Sequence, residues 1–440
     1  MPGKSLPLDV VAERAAQLAA RSTADAVSIA WLETDEGTAS AGPRGRHAVL
    51  EPRRSVAVRV RAGGRTGVAR SDSSDTGELD ATLRAALADA RIAEPSPDWP
   101  LGATTIEPVA AGGVDPDLGA LTAAGAQQAL PAKLGGRSSL RLDWRDARLV
   151  VAASFHPLRA QRFTSASFRA RIGRRPGSGF VARTAPALAA LAIDELVESG
   201  RALEAAATAE ELPAAGSPLV LAGEAALVLL DAFARRALGG RARLERGAVW
   251  PYSIAAVLTF DDEVIDGAAP VSRFDFDGCA RSKRRFVEAG VVRGAALDLE
   301  LAARAGEPTT GHGLAADDAW PQHLAVLSGE RGEAALRAAA ANGVRIGSLE
   351  RFAIEPGEEL PFRALARNLR KIGSDGSLGT ALPPAVWSGS LREVLSSVVE
   401  VGREAVVWAP DARSFGALRS PALRLVACGR FAPDRDALPR

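Results

Sequence analysis

The 440-residue chain is 47% apolar and 24% charged, ordinary proportions for a globular protein, and its formal net charge is +1. Its arginines alternate with acids, so the one-sided basic face that nucleic-acid binding requires is not expected. Cys279 and Cys428 are its two cysteines and offer neither a zinc-finger spacing nor a disulfide framework. The start, MPGKSLPLDVVAERAAQ, has no apolar signal core. The most apolar stretch, LVLAGEAALVLLDAFA, is interrupted by Glu224 and Asp231 and is too short to span a bilayer. These features predict a cytoplasmic protein without a membrane segment.

In chain order, Leu8 to Arg21 has helical apolar spacing and AVSIAWLE reads as a strand. SVAVRVR alternates strictly, with Val56, Val58 and Val60 on one face. AGGRTG then reads as a turn and GVARS as the returning strand of a hairpin. Leu79, Leu83, Ala86, Leu87 and Ala90 fall on one helical face behind a run of N-cap residues. The proline-rich EPSPDWPLG ends this small α/β-hairpin unit, residues 1–103. A middle α+β segment, 104–211, is expected to hold a helix near Leu118 to Leu130 and two strands, ARLVVAASF and RFTSASFRARI. A GRRPGSG loop follows, then a long Ala/Leu helix over Ala187 to Ala207. The remainder, 212–440, opens with the strand PLVLA and a helix, then runs through many short β-like segments. The fold class is therefore α+β with a large β-rich C-terminal domain.

Common catalytic signatures are missing from the sequence: there is no G-x-S-x-G elbow and no Walker loop. TTGHGLAADDAWPQHL gathers His312, Asp317, Asp318 and His323, residue types that ligate zinc, although the spacing matches no ligand pattern. A polar loop with an Asp cap is the plainer account. RSKRR, from Arg281 to Arg285, is the densest basic run and reads as a solvated turn or a holder of carboxylates.

Several segments, taken together and in order, resemble a known family. SVAVRVRAGGRTGVARS precedes the LRAALADAR helix at the front. FDFDGCARSKRRFVEAGVVRG is similar to a D-x-E-G motif, a basic turn and an (I/V)-E-x-G-V-(V/L)-x-G strand, with Gly278 the firmest match. PTTGHG is similar to an S/T-T-G motif, and SPALRLVACGRF to a closing strand that takes in Cys428. The family is TldD/PmbA, whose PmbA branch is also called TldE. The resemblance implies a relation to a zinc peptidase whose H-E-x-x-x-H lies on a helix after a strand, completed by a cysteine in a later glycine-rich loop.

On this alignment Asp231, Ala232 and Arg236 stand where His, Glu and His would be. Ala232 cannot take a proton from a zinc-bound water. Arg236 is a permanent cation with no free lone pair. Two unit charges of the same sign repel by about 4 kcal/mol at an effective dielectric of about 20. VVWAPDARSFGALRS contains no cysteine, and Arg235 is placed to pair with Asp231 one turn along the helix. The resemblance therefore implies a non-catalytic, TldE-like subunit with no metal or cofactor of its own. Zinc is expected in a TldD-like partner, within a homo- or hetero-oligomer acting on extended, unfolded or modified precursor peptides. Thr309, Thr310, Gly311, His312, Arg281, Arg284 and Arg285 are the candidates for peptide or partner contact. Two alternatives remain: a self-sufficient metallopeptidase built on His312, Asp317, Asp318 and His323, and a protein-binding adaptor with no proteolytic role.

Overall fold

A computed structural model describes residues 8–72, 77–99, 114–131, 138–173, 177–205, 211–214, 216–246, 253–262, 272–281, 283–314, 319–357, 359–409 and 416–433. The architecture is α+β. The first half is built on one six-stranded antiparallel sheet of β1 (Ala26–Gly42), β2 (Gly45–Ala62), β3 (Arg65–Ser71), β4 (Ser139–Ala153), β5 (Arg159–Ile172) and β6 (Gly179–Ala185). Its spatial order is β3-β2-β1-β4-β5-β6, so β1 lies between β2 and β4 and the sheet runs across the 103/104 position. The β1–β2 hairpin is longer than its apolar alternation suggested; in its far half β2 is mostly exposed while Ala39 of β1 is buried.

Helices α1 (Leu8–Arg21) and α2 (Gly77–Ile92) cover one part of this sheet. Val11, Ala15 and Leu18 of α1 and Leu79, Leu83 and Ala86 of α2 share a core with Val27, Ile29, Val56, Val58 and Val60. The helical and strand periodicities each aim an apolar face at the same layer. Helix α2 lies so close to β3 that a Cβ on Gly67 would sit 2.2 Å from the Ala86 carbonyl oxygen. Gly67→Val should therefore push α2 away and lower stability by about 2 kcal/mol in urea titration.

A second core packs short helices against the other part of the sheet. The expected helix near Leu118 to Leu130 is two helices, α3 (Pro116–Gly119) and α4 (Ala123–Ala129), the second capped by the Thr122 hydroxyl. The long helix expected over Ala187 to Ala207 is also corrected. Ala192 takes a left-handed conformation (φ 47°), which separates a 3-10 turn at Ala189–Leu191 from α5 (Ile193–Ala202). Alanine propensity favours a continuous helix, but the break lets Leu191, Leu196 and Val197 all enter the core with Phe168 and Ile172.

The second half begins with β7 (Leu219–Leu221), α6 (Gly223–Ala237), α7 (Gly240–Arg246), β8 (Phe260–Asp262), β9 (Arg284–Glu288) and β10 (Val291–Val292). A ten-stranded mixed sheet has β19, residues Leu418–Leu425, and β7 near its middle, with β10-β9-β8 at one end; a four-stranded antiparallel sheet packs beside it. Helix α6 is apolar on most of its surface. Leu227, Leu229, Leu230, Phe233 and Leu238 join the largest core, and the Phe233 ring meets Phe260 of β8 edge-on at 5.8 Å. Cys428 lies in the turn after the strand Leu418–Leu425, not inside the strand as its sequence suggested. No helix among the described residues is long and apolar enough to cross a membrane.

Candidate functional site

The strand β7 and helix α6 form the expected strand-then-helix frame. Asp231 sits near the helix middle, and Arg235 donates from Nε to both of its carboxylate oxygens, at 3.0 and 3.1 Å. The Arg235 guanidinium also lies 4.7 Å above the Trp320 ring centroid, a cation–π contact. Ala232 is buried and presents a methyl group, while Arg236 is exposed. A zinc ion needs lone pairs from about three side chains. Here one carboxylate is spoken for by a cation, one position has no donor and one carries a positive charge. The residues present do not fit a zinc ion, and no group of three ligand residues able to hold a metal occurs among the described residues. Because the Asp231–Arg235 pair is partly exposed, Arg235→Ala should cost less than about 1 kcal/mol in urea titration while changing tryptophan emission through Trp320.

A second polar cluster lies on the neighbouring strand β8. The FDFDG turn is closed by Asp275, whose Oδ1 accepts the N–H groups of Asp277 (3.0 Å) and Cys279 (2.8 Å) and whose Oδ2 accepts that of Gly313 (2.8 Å). Gly278 has φ +75°, and a Cβ there would meet His156 Nε2 at 2.1 Å, so glycine is required on two counts. The TTGHG loop packs on this turn: a Cβ on Gly311 would fall 2.2 Å from the Ala280 carbonyl oxygen. This contact brings Arg281 beside Thr310, Gly311 and His312.

His312 is 1% exposed. Its Nε2 donates to Asp262 Oδ2 at 3.0 Å and its Nδ1 lies 2.9 Å from the Thr310 hydroxyl, while Phe286 packs edge-on against the ring. Burial alone would raise the pKa of Asp262. The charge and hydrogen bond of His312, with His323 and Arg281, instead hold it well below the usual carboxylate range. His323 is fully buried, and neither ring nitrogen has a hydrogen-bond partner among the described residues. Burial, reinforced by the nearby Arg281 charge, lowers its pKa to about 3. Arg281 is buried with Nε and Nη1 unpartnered, and burial lowers its pKa against the pull of Asp262 and Asp275.

Thr310, His312 and Arg281 thus make their contacts inside the chain. Thr309 donates to the Leu297 carbonyl at 3.1 Å. Arg284 and Arg285 lie apart from the cluster's interior, on β9: Arg285 forks onto Asp261 at 2.8 and 3.2 Å, and the Arg284 guanidinium stands 5.9 Å from the Phe286 ring centre. Asp317 and Asp318 lie outside the described residues. Asp262 and Trp320 were not legible as site residues, because each gains its role from a partner distant in sequence.

The FDFDG turn is also where the two halves of the chain are joined. Arg59 of β2 reaches Asp277 Oδ1 at 3.1 Å and Asp298 Oδ2 at 2.9 Å, with all three side chains buried. Asp298 at the same time caps a helix through the N–H of Leu301 at 2.7 Å.

Comparison with known proteins bears on both clusters. Residues 218–428 match the model of the PmbA/TldA metallopeptidase C-terminal domain, a span that holds α6, the FDFDG turn and the TTGHG loop. The C-terminal part of the chain thus carries a domain of the TldD/PmbA family. Three solved structures share the chain's fold over nearly the whole length. A candidate modulator of a DNA gyrase from Thermotoga maritima superposes with a TM-score of 0.77 at 16% identity, covering 96% of this chain and 100% of the other. A candidate modulator of DNA gyrase from Bacteroides thetaiotaomicron gives 0.73 at 15% identity, covering 97% and 98%. TldE from Thermococcus kodakarensis gives 0.72 at 16% identity, covering 95% and 99%. No curated protein matches the sequence. The matched domain is thus a metallopeptidase C-terminal domain by description, and it contains both side-chain clusters.

Proposed function

We propose that this chain is the non-catalytic, TldE-type subunit of a zinc metallopeptidase complex, paired in the cytoplasm with a TldD-like subunit that carries the metal. The observation that supports this most directly is the Asp231–Arg235 ion pair under Trp320, at the place where the resemblance puts a zinc ligand. A guanidinium cannot donate a lone pair to a metal, and Ala232 cannot act as a general base. The apolar face of α6 is kept, which is what packing demands of a helix relieved of catalysis. The subunit would complete the wall of a peptide-degrading chamber, and unfolded or modified precursor peptides would be its extended substrates, held through backbone hydrogen bonds.

The test is co-expression with an H-E-x-x-x-H homologue from the same genome. The expected result is a stable complex that contains zinc and cleaves casein, loses cleavage when the partner's motif is altered, and keeps it in Asp231→Ala of this chain. Recovery of this chain as a homodimer without such a partner, or casein cleavage by the zinc-loaded chain alone, would overturn the reading.

A further inference from the structure

A cavity of about 700 Å³ lies where the two halves of the molecule meet. Edge strand β6 and helix α5 form one side. The N-terminal turn of α6, helix Glu333–Ala339 and the strand Val398–Trp408 form the other. The walls are aliphatic, with Val181, Leu196, Leu203 and Val406 and no aromatic ring. One end is charged. There Arg345 donates to Glu333 at 2.7 Å from Nε and 3.4 Å from Nη2, and Arg337 donates to Glu333 at 2.9 Å and to the Gly376 carbonyl at 3.1 Å. Both guanidiniums are therefore committed to Glu333.

Glu224 is different. It is 8% exposed and lines the same cavity, and its carboxylate has no ion pair with a side chain among the described residues. A buried carboxylate without a side-chain cation is costly, and it faces a space large enough for a ligand. An aliphatic chamber with an acceptor at its end suits a ligand of complementary form. We propose that this cavity binds a primary ammonium group carried on a short aliphatic chain, with Glu224 as its counter-ion. A free alkylamine and the side chain of a peptide lysine share that chemistry. An anionic ligand is disfavoured because Arg337 and Arg345 already hold Glu333 and Arg183 donates to the Leu191 carbonyl.

The ionisation of Glu224 is consistent with this. Burial raises its pKa to about 7, opposed by Arg345 and by the backbone N–H groups, with Glu333 adding to the rise. An ammonium ligand bound to the ionised form should bind about tenfold more tightly at pH 8 than at pH 6. The other charged groups around the cavity are Arg183, Arg337, Arg345 and Glu404.

The experiment is calorimetric titration of the full chain with n-pentylammonium, pentanoate and pentanol, and with an acetylated, amidated Ala-Lys-Ala peptide. Pentylammonium should bind and the other two pentyl compounds should not. Glu224→Gln, which keeps the shape of the side chain and removes its charge, should weaken binding at least tenfold. Ser199→Trp, an exposed change on α5 at the cavity, should block it without altering charge and serves if the glutamine variant does not fold. Peptide binding beside pentylammonium assigns the site to lysine side chains; pentylammonium alone assigns it to small amines. Binding of pentanoate or pentanol as tight as that of the amine, binding unchanged in Glu224→Gln, or no binding of either amine would overturn the proposal.

Discussion

Arg59→Ala should lower the unfolding free energy by about 3–5 kcal/mol, as expected when one partner of a buried ion pair is removed. Arg59 carries the charge that balances Asp277 and Asp298, and both carboxylates are almost fully buried. They cannot simply share the strain with Asp275, which is itself pushed above the usual carboxylate range by burial and by the proximity of Asp277. Losing the guanidinium leaves three acids in one dry place with Arg281 as a more distant cation. The damage also reaches the helix capped by Asp298. Arg59→Lys should recover part of the loss, because an ammonium supplies charge but not the two-pronged geometry that spans both acids. Urea denaturation at pH 7 measures each value, and a loss below about 1 kcal/mol for the alanine variant would show that this ion cluster contributes little to joining the halves.

His323→Phe should make the protein less sensitive to acid. In the folded chain His323 has a pKa of about 3, lowered by burial and by Arg281, whereas an unfolded histidine titrates near 6.5. Between those values the unfolded state binds the proton and the folded state does not, so stability falls as the pH drops below about 6.5 towards the folded value. At pH 5 the deficit from this residue is about 2 kcal/mol. Phenylalanine removes it, together with two ring nitrogens that lack partners, so the cost at pH 7 should stay within about 1 kcal/mol. The raised pKa values of Glu224 and Asp275 act in the opposite direction, since their contribution is present at low pH and lost as pH rises. They are common to both proteins and cancel in the difference. Parallel stability-versus-pH curves for the two proteins would refute the assignment.

Much of the frame was legible where one periodicity ruled a whole segment. Helix α1 spans Leu8–Arg21 as its apolar spacing required, and the alternating valines of β2 face the core as a pleated strand must. Legibility failed where tertiary packing overrode local preference. The Ala/Leu run at 187–207 has helical composition, yet it bends at Ala192 so that Leu191 and Leu196 reach one core. Strand β6 was hidden beside a glycine-rich loop, since its seven residues carry no strict alternation of polarity. The site divides the same way. The Asp231–Arg235 pair followed from helical spacing alone. His312 was visible as a titratable residue, but its partner Asp262 is 50 positions away and no local pattern joins them. Arg59 was one of several arginines in an alternating strand until the fold set it against two aspartates.

The place of β1 in the sheet bears on how the protein is made. On one side β1 pairs with its immediate neighbour β2, but on the other it waits for β4, whose residues leave the ribosome about a hundred positions later. Until then the nascent chain carries a long, partly apolar ribbon whose β1 edge is open, the kind of surface that recruits stray strands from other chains. A fragment ending at residue 103 should therefore aggregate on expression, whereas one extended through β6 covers the β1 edge with β4 and should stay in solution.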